Sequence, residues 1–167
     1  MTASRSREPE IDRLGREAFI NLFLAAGRFT DEVEKLCKAE GLTMSHYTVL
    51  WVVCLSQSPS GVPMRIVADG LLTRASDATR LVDRLTHVGY VTRASSEEDR
   101  RVVLIRATRS GRALFQRLTT KVKALHRSQW SELSLAEMRE LWRLLTKALW
   151  GESSSETRHP LEALPPI

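Results

Sequence analysis

The side chains with most chemistry to offer in this 167-residue sequence are its arginines. Twenty of the 25 basic residues are Arg, and eleven of those fall within residues 65–117, against six acids in the same stretch. The flanks are nearly balanced: residues 1–64 hold seven basic side chains against eight acidic, and residues 118–167 hold seven against six. The central stretch therefore carries the whole net charge of +5. A guanidinium is planar, permanently charged and forked, which suits paired hydrogen bonds to phosphates and to base edges. Its concentration in one segment points to a polyanionic partner.

Two places in that stretch present side chains of the right kind at the right spacing. Arg74, Ser76, Asp77, Thr79 and Arg80 fall on the polar side of a helix expected over residues 74–87. Placed in a major groove, Arg80 can bridge guanine acceptors or hold a phosphate, and Asp77 can accept from a cytosine amino group. Taken alone, this is also the face that any solvated amphipathic helix shows. The second place is Ser95-Ser-Glu-Glu-Asp-Arg-Arg101, a polar loop between two apolar, β-branched runs, with Asp99, Arg100 and Arg101 at its end. A hairpin tip of that size fits a minor groove, whose negative potential attracts Arg. Asp99 opposes an anion unless it holds one of the two arginines in place.

Other chemistries find no constellation. His46, His87, His126 and His159 lie on different expected elements, and no nucleophile elbow, phosphate loop or HExxH spacing occurs. Cys37 and Cys54 are too few for a disulfide framework and lack metal-ligand spacing. The expectation is a protein without cofactor, metal or catalytic site. No apolar run approaches the roughly 20 residues of a membrane span. The opening residues lack the apolar core of a secretion signal, so a cytoplasmic protein without a membrane partner is expected.

The elements that must position these residues can be read from periodicity. Ile11, Leu14, Ala18, Leu22, Ala25, Phe29, Val33 and Leu36 step by three and four, which predicts a long amphipathic helix over residues 10–40, ended by Gly41. Thr43 offers an N-cap to a second helix, with Tyr47, Leu50, Trp51 and Cys54 on its stripe. A short helix follows over 64–70, then a tight connection at Leu71-Leu72-Thr73 and the polar-faced helix already described. Residues 90–94 and 102–107 read as two strands. Thr108 caps a helix carrying Leu114, Phe115, Leu118 and Val122, and Ser134-Leu-Ala-Glu137 has the spacing of a capping box before a last helix with Leu141, Trp142 and Leu145.

With that order in hand, the sequence resembles the MarR family of bacterial regulators over residues 10–150. The likeness rests on Ala78-Thr-Arg-Leu-Val-Asp-Arg-Leu85, Gly89-Tyr-Val-Thr-Arg93, Asp99-Arg-Arg101 and Ala107-Thr-Arg-Ser-Gly111. It departs at Leu72, where the family often has Gly, and at Arg74, where Ser or Asp often begins the recognition helix. The resemblance implies a mainly α winged helix-turn-helix with a small two-stranded β-wing and long N- and C-terminal dimerisation helices. It implies a homodimer on a pseudo-palindromic operator of double-stranded DNA, acting as a repressor, with Arg101 in the minor groove and Asp99 orienting it.

The expected organisation is a flexible N-terminus at 1–9, N-terminal helices at 10–60, the DNA-binding unit at 61–108, dimerisation helices at 109–150 and a flexible tail at 151–167. Leu14, Leu141, Trp142 and Leu145 are the expected dimer contacts. The resemblance also implies a small aromatic or amphipathic effector, for which Arg16, Arg28, His46, Tyr47 and Trp51 are candidates; Tyr47 and Trp51 equally suit an ordinary core. One branch of the family senses hydroperoxides with a cysteine near the start of its first helix, a position that neither Cys37 nor Cys54 holds. The competing reading is a winged-helix protein-interaction module without DNA binding.

Overall fold

The computed structural model describes residues 7–56, 58–71 and 77–151. In chain order these form α1 (Arg7–Lys38), α2 (Met44–Leu55), β1 (Val62–Pro63), α3 (Met64–Asp69), α4 (Ala78–His87), β2 (Val91–Ser95), β3 (Val103–Ala107), α5 (Arg109–Gln129) and α6 (Leu135–Trp150). Helix α2 is the hub. Tyr47, Thr48, Val49, Leu50, Val52 and Val53 are all buried, so the helix is apolar around most of its circumference and sits at the centre. It touches α1, α3, α4, α5 and β3. Leu114, Phe115, Leu118 and Val122 of α5, Val82 and Leu85 of α4, and Ile105 of β3 close the same core.

The capping signals do what their side chains allow. Thr43, Thr108 and Ser134 each accept the main-chain N–H three residues on, and the Glu137 carboxylate returns to the Ser134 amide at 2.8 Å. Gly41, with φ +72°, turns the chain out of α1 in the left-handed region that glycine tolerates.

The sheet differs from the expected two-stranded wing. It has three antiparallel strands in the order β1-β3-β2, with Val62 opposite Ile105 and Val91 opposite Ala107. Strand β1 is only two residues long, too short for any alternation to show, and its Pro63 lacks an N–H and so sits at an edge. The wing proper is the β2–β3 hairpin, as expected.

The described residues leave two surfaces uncovered. The N-terminal half of α1 exposes Ile11, Leu14, Phe19, Ile20, Leu22, Phe23 and Leu24, and α6 buries no residue at all while exposing Leu135, Trp142, Leu144 and Leu149. Among the described residues no helix is long and apolar enough to cross a membrane, and no group of three His, Cys, Asp or Glu gathers to hold a metal ion.

Candidate nucleic-acid interface

Helix α4 begins at Ala78, and Asp77 is its N-cap. The Asp77 carboxylate accepts the Arg80 amide at 3.3 Å through Oδ1, and its Oδ2 lies 3.4 Å from Arg80 Nε. On the sequence Asp77 was expected to face a base; in the structure its carboxylate is engaged within the first turn of its own helix, where an acceptor meets an otherwise unpaired N–H. Thr79 and Arg80 point outward, with the Arg80 side chain 87% exposed. Arg74 and Ser76 lie outside the described residues.

The apolar face of α4 explains this presentation. Ala78, Val82 and Leu85 are buried against α2 and α3, which turns Thr79, Arg80, Asp83 and Arg84 to solvent. After His87 the chain reverses through Gly89, with φ +77°, and enters β2.

At the far end of the hairpin a compact turn holds the wing tip. The Arg101 amide donates to Asp99 Oδ1 at 2.9 Å, the Val102 amide to the Asp99 carbonyl at 2.9 Å, and the Ser96 amide to the Val102 carbonyl at 2.9 Å. Asp99 thus shapes the tip through the main chain of Arg101, where the expectation had it orient the guanidinium. Its negative charge is spent on the turn, and both Arg100 and Arg101 remain exposed.

Sequence reasoning missed Arg93. Its Nη1 lies 2.6 Å from Asp83 Oδ1 and its Nη2 donates to the Thr79 carbonyl at 3.1 Å, so it joins the hairpin to α4. Opposite charges on neighbouring expected elements were visible in the sequence, but nothing there said which acid this arginine would meet. Arg106 was missed in the same way: its Nε donates to the Ser60 carbonyl at 2.6 Å and ties β3 to the turn before β1.

The residues considered for an effector are brought together only in part. Tyr47 and Trp51 line an apolar cavity of about 220 Å³, with Val33 of α1 and Thr119, Lys123 and His126 of α5. The Tyr47 and Thr119 hydroxyls are 3.1 Å apart, and burial raises the Tyr47 phenol above its ordinary range. Trp51 Nε1 is buried without a hydrogen-bond partner among the described residues. Arg16, Arg28 and His46 do not line this cavity. Arg16 is exposed on α1, Arg28 pairs with Glu32 at 3.2 Å, and the His46 ring turns back to cap its own helix. The cation at the cavity is Lys123. A larger cleft of about 530 Å³ lies beside the wing, but Glu97, Glu98 and Asp99 give it an acidic wall.

Of the expected dimer contacts, Leu14 and Trp142 are 48% and 58% exposed, and Leu141 and Leu145 are half-buried.

Comparison with known proteins matches this arrangement to regulators. The model of the family "Transcriptional regulator SarA/Rot" matches residues 32–118, a little over half of the chain. The chain is 33% identical over 122 residues to the HTH-type transcriptional regulator PrsX of Escherichia coli, covering 73% of this chain and 72% of PrsX. A MarR variant from E. coli, crystallised with operator DNA, superposes with a TM-score of 0.67 at 25% identity, covering 84% of this chain and 96% of that one. This chain belongs to the MarR family of winged helix-turn-helix transcriptional regulators. Within that family it also resembles CouR from Rhodococcus jostii RHA1, solved with p-coumaroyl-CoA, at 27% identity and a TM-score of 0.68 over 85% of this chain and 98% of CouR. In this MarR-family chain α4 stands in the recognition-helix position of the family's fold and the β2–β3 hairpin in that of the wing.

Proposed function

We propose that this chain acts as a homodimer that binds a pseudo-palindromic operator in double-stranded DNA and represses transcription from it. The carrying observation is the joint presentation of two reading elements: α4 holds Thr79 and Arg80 outward from a buried apolar face, and a hydrogen-bonded turn holds Arg100 and Arg101 at the exposed wing tip. The helix enters the major groove and the tip the adjacent minor groove. The uncovered apolar faces of α1 and α6 are what a second copy covers, because a soluble monomer rarely leaves contiguous patches of that size in water. Two-fold symmetry then sets the half-sites about one helical turn apart.

The effector is a small aromatic acid in the α1–α2–α5 cavity. Apolar walls, Tyr47 and Trp51 among them, take the ring, and Lys123 takes the carboxylate. An effector that favours the non-binding dimer by about 3 kcal/mol lowers DNA affinity roughly a hundredfold.

The test is selection of sites from the promoter beside the chain's own gene, followed by titration across salt. Phosphate contacts release counterions and give a steep fall of affinity with log salt. A flat slope, or no protected site, replaces this reading with that of a protein-interaction module. Screening aromatic carboxylates for release of the operator, then repeating with Trp51→Ala, tests the effector cavity; compounds that work equally on the variant place the effector elsewhere.

A further inference from the structure

We infer that Arg93 is a positioning residue that makes the recognition helix and the wing one rigid reading head, so that a half-site is recognised only with its groove contacts in fixed register. This rests on the DNA-binding reading above. The hairpin leaves α4 through Val88, Gly89 and Tyr90 alone, and Gly89 occupies the left-handed region. The β2–β3 ladder fixes the two strands to each other, not the angle of the hairpin to the helix. Buried Val91, Ile105 and Ala107 and the pairing with β1 hold the base of the hairpin in the core, and a tie to α4 further along β2 fixes its outer part.

Arg93 is placed to make that tie. Its main chain sits opposite the fully buried Ile105, so the strand beneath it is anchored in the core. Its two terminal nitrogens reach two successive turns of α4, Nη1 to the Asp83 carboxylate at 2.6 Å and Nη2 to the Thr79 carbonyl at 3.1 Å. One planar fork bonded at two points resists rotation, which a single ion pair does not. Among the described residues no other side-chain hydrogen bond or ion pair joins α4 to the wing strands. The neighbouring Asp77–Arg80 pair stays within α4. One of the two bonded groups belongs to Thr79, itself an expected base-reading residue, so the clamp closes directly behind the reading face.

A simpler account is available: Arg93 only neutralises Asp83, an exposed acid on the helix side that meets phosphates. The two accounts separate. If charge is all that matters, removing both partners together restores binding. If register matters, it does not.

The experiment is selection of operators from random DNA, with affinity titrations on specific and non-specific duplexes, for the wild type, Arg93→Gln, Arg93→Lys and the double variant Asp83→Asn with Arg93→Gln. Arg93→Gln is expected to lose at least tenfold in operator affinity and to flatten base preference at the positions under the wing. Its affinity for non-specific DNA, its salt slope and its thermal midpoint should stay near wild type. Lysine reaches Asp83 but not both groups, so Arg93→Lys should fall between the two, and the double variant should remain as weak as Arg93→Gln. Wild-type selectivity in Arg93→Gln, or recovery in the double variant, overturns the inference. So does Arg93→Gln that fails to fold beside an Arg93→Lys of full selectivity, since the role is then structural only. A wild-type protein that selects no site overturns the DNA reading and the inference with it.

Discussion

Gly111 is seated directly on the Tyr90 carbonyl, at a distance that leaves no room for a Cβ on the glycine. Around this contact the Thr108 and Ser110 hydroxyls donate to the Gly89 carbonyl at 2.8 and 3.0 Å. The start of α5 is therefore docked on the tether between recognition helix and wing. Gly111→Ala must push the two backbones apart, and overpacking of that kind costs about 1–3 kcal/mol. Chemical denaturation should show the loss as an earlier midpoint at an unchanged slope. A variant as stable as wild type would mean that the docking is loose.

Arg101→Ala should weaken operator binding tenfold or more while leaving thermal stability and dimer mass unchanged. The side chain is exposed at the wing tip, and the tip's shape depends on the Arg101 amide and Asp99, not on the guanidinium. Asp99→Ala should therefore also weaken binding, by loosening the turn. Titration of both variants on operator DNA decides the matter. Full affinity in Arg101→Ala removes the wing from the interface.

How much of this was legible in the sequence depends on whether a feature is local. Helix caps at Thr43, Thr108 and Ser134, the turn at Gly41, and the buried face of Val82 and Leu85 all follow from spacing within one element. The motif that ends at Gly111 was visible too, although its reason, the Tyr90 carbonyl, lies 21 positions away. Pairings across elements were not legible. Arg93 with Asp83 and Arg106 with the Ser60 carbonyl depend on how the hairpin folds back. That Asp77 is the N-cap of α4 was not legible because the same residue type suits both an N-cap and a groove acceptor. The capping role of His46 was not legible, because the capping box is ordinarily closed by Glu or Gln at that position. Strand β1 is made by its partner β3 and has no pattern of its own.

The dimer expectation now has a specific surface. Phe19 and Phe23 stack with ring centroids 6.3 Å apart on the uncovered half of α1, and Trp142 is exposed on α6. Changing Leu141 and Trp142 together to Asp places two charges where a second copy is proposed to pack, and a buried unpaired charge is strongly unfavourable. Light scattering should report monomer or unfolded chain. A dimer that survives the double change moves the interface off α6.

Neither cysteine should behave as a redox sensor. Burial pushes the Cys37 and Cys54 thiols up to about 11, so neither carries appreciable thiolate at neutral pH. Native protein should resist iodoacetamide, and hydroperoxide treatment should leave DNA binding unchanged. Fast labelling of either thiol in the folded protein, read by mass spectrometry, would contradict this.

The last prediction concerns pH and His46. Thr43 donates its amide to His46 Nδ1 at 3.2 Å, which closes the capping box at the start of α2 and requires that nitrogen to be unprotonated. Burial lowers the His46 pKa from 6.5, the positive charge of Arg84 on the recognition helix lowers it further, and Glu34 of α1 acts in the opposite direction. Glu34 is itself held by the Met44 amide at 2.6 Å. Since the folded value lies below the unfolded one, the unfolded chain takes up this proton first. The stability from a neutral His46 is therefore complete above 6.5 and is lost as pH falls from there through the depressed folded value. The carboxylates held below their ordinary range, Glu32, Glu40, Glu137 and Glu140, shed their contributions only at lower pH, below 4.5. His46→Gln supplies an acceptor that does not titrate. Denaturation midpoints followed across the histidine range should fall with acid more steeply in wild type than in His46→Gln. Parallel profiles for the two proteins would show that the cap survives protonation and that His46 does not couple α2 to pH.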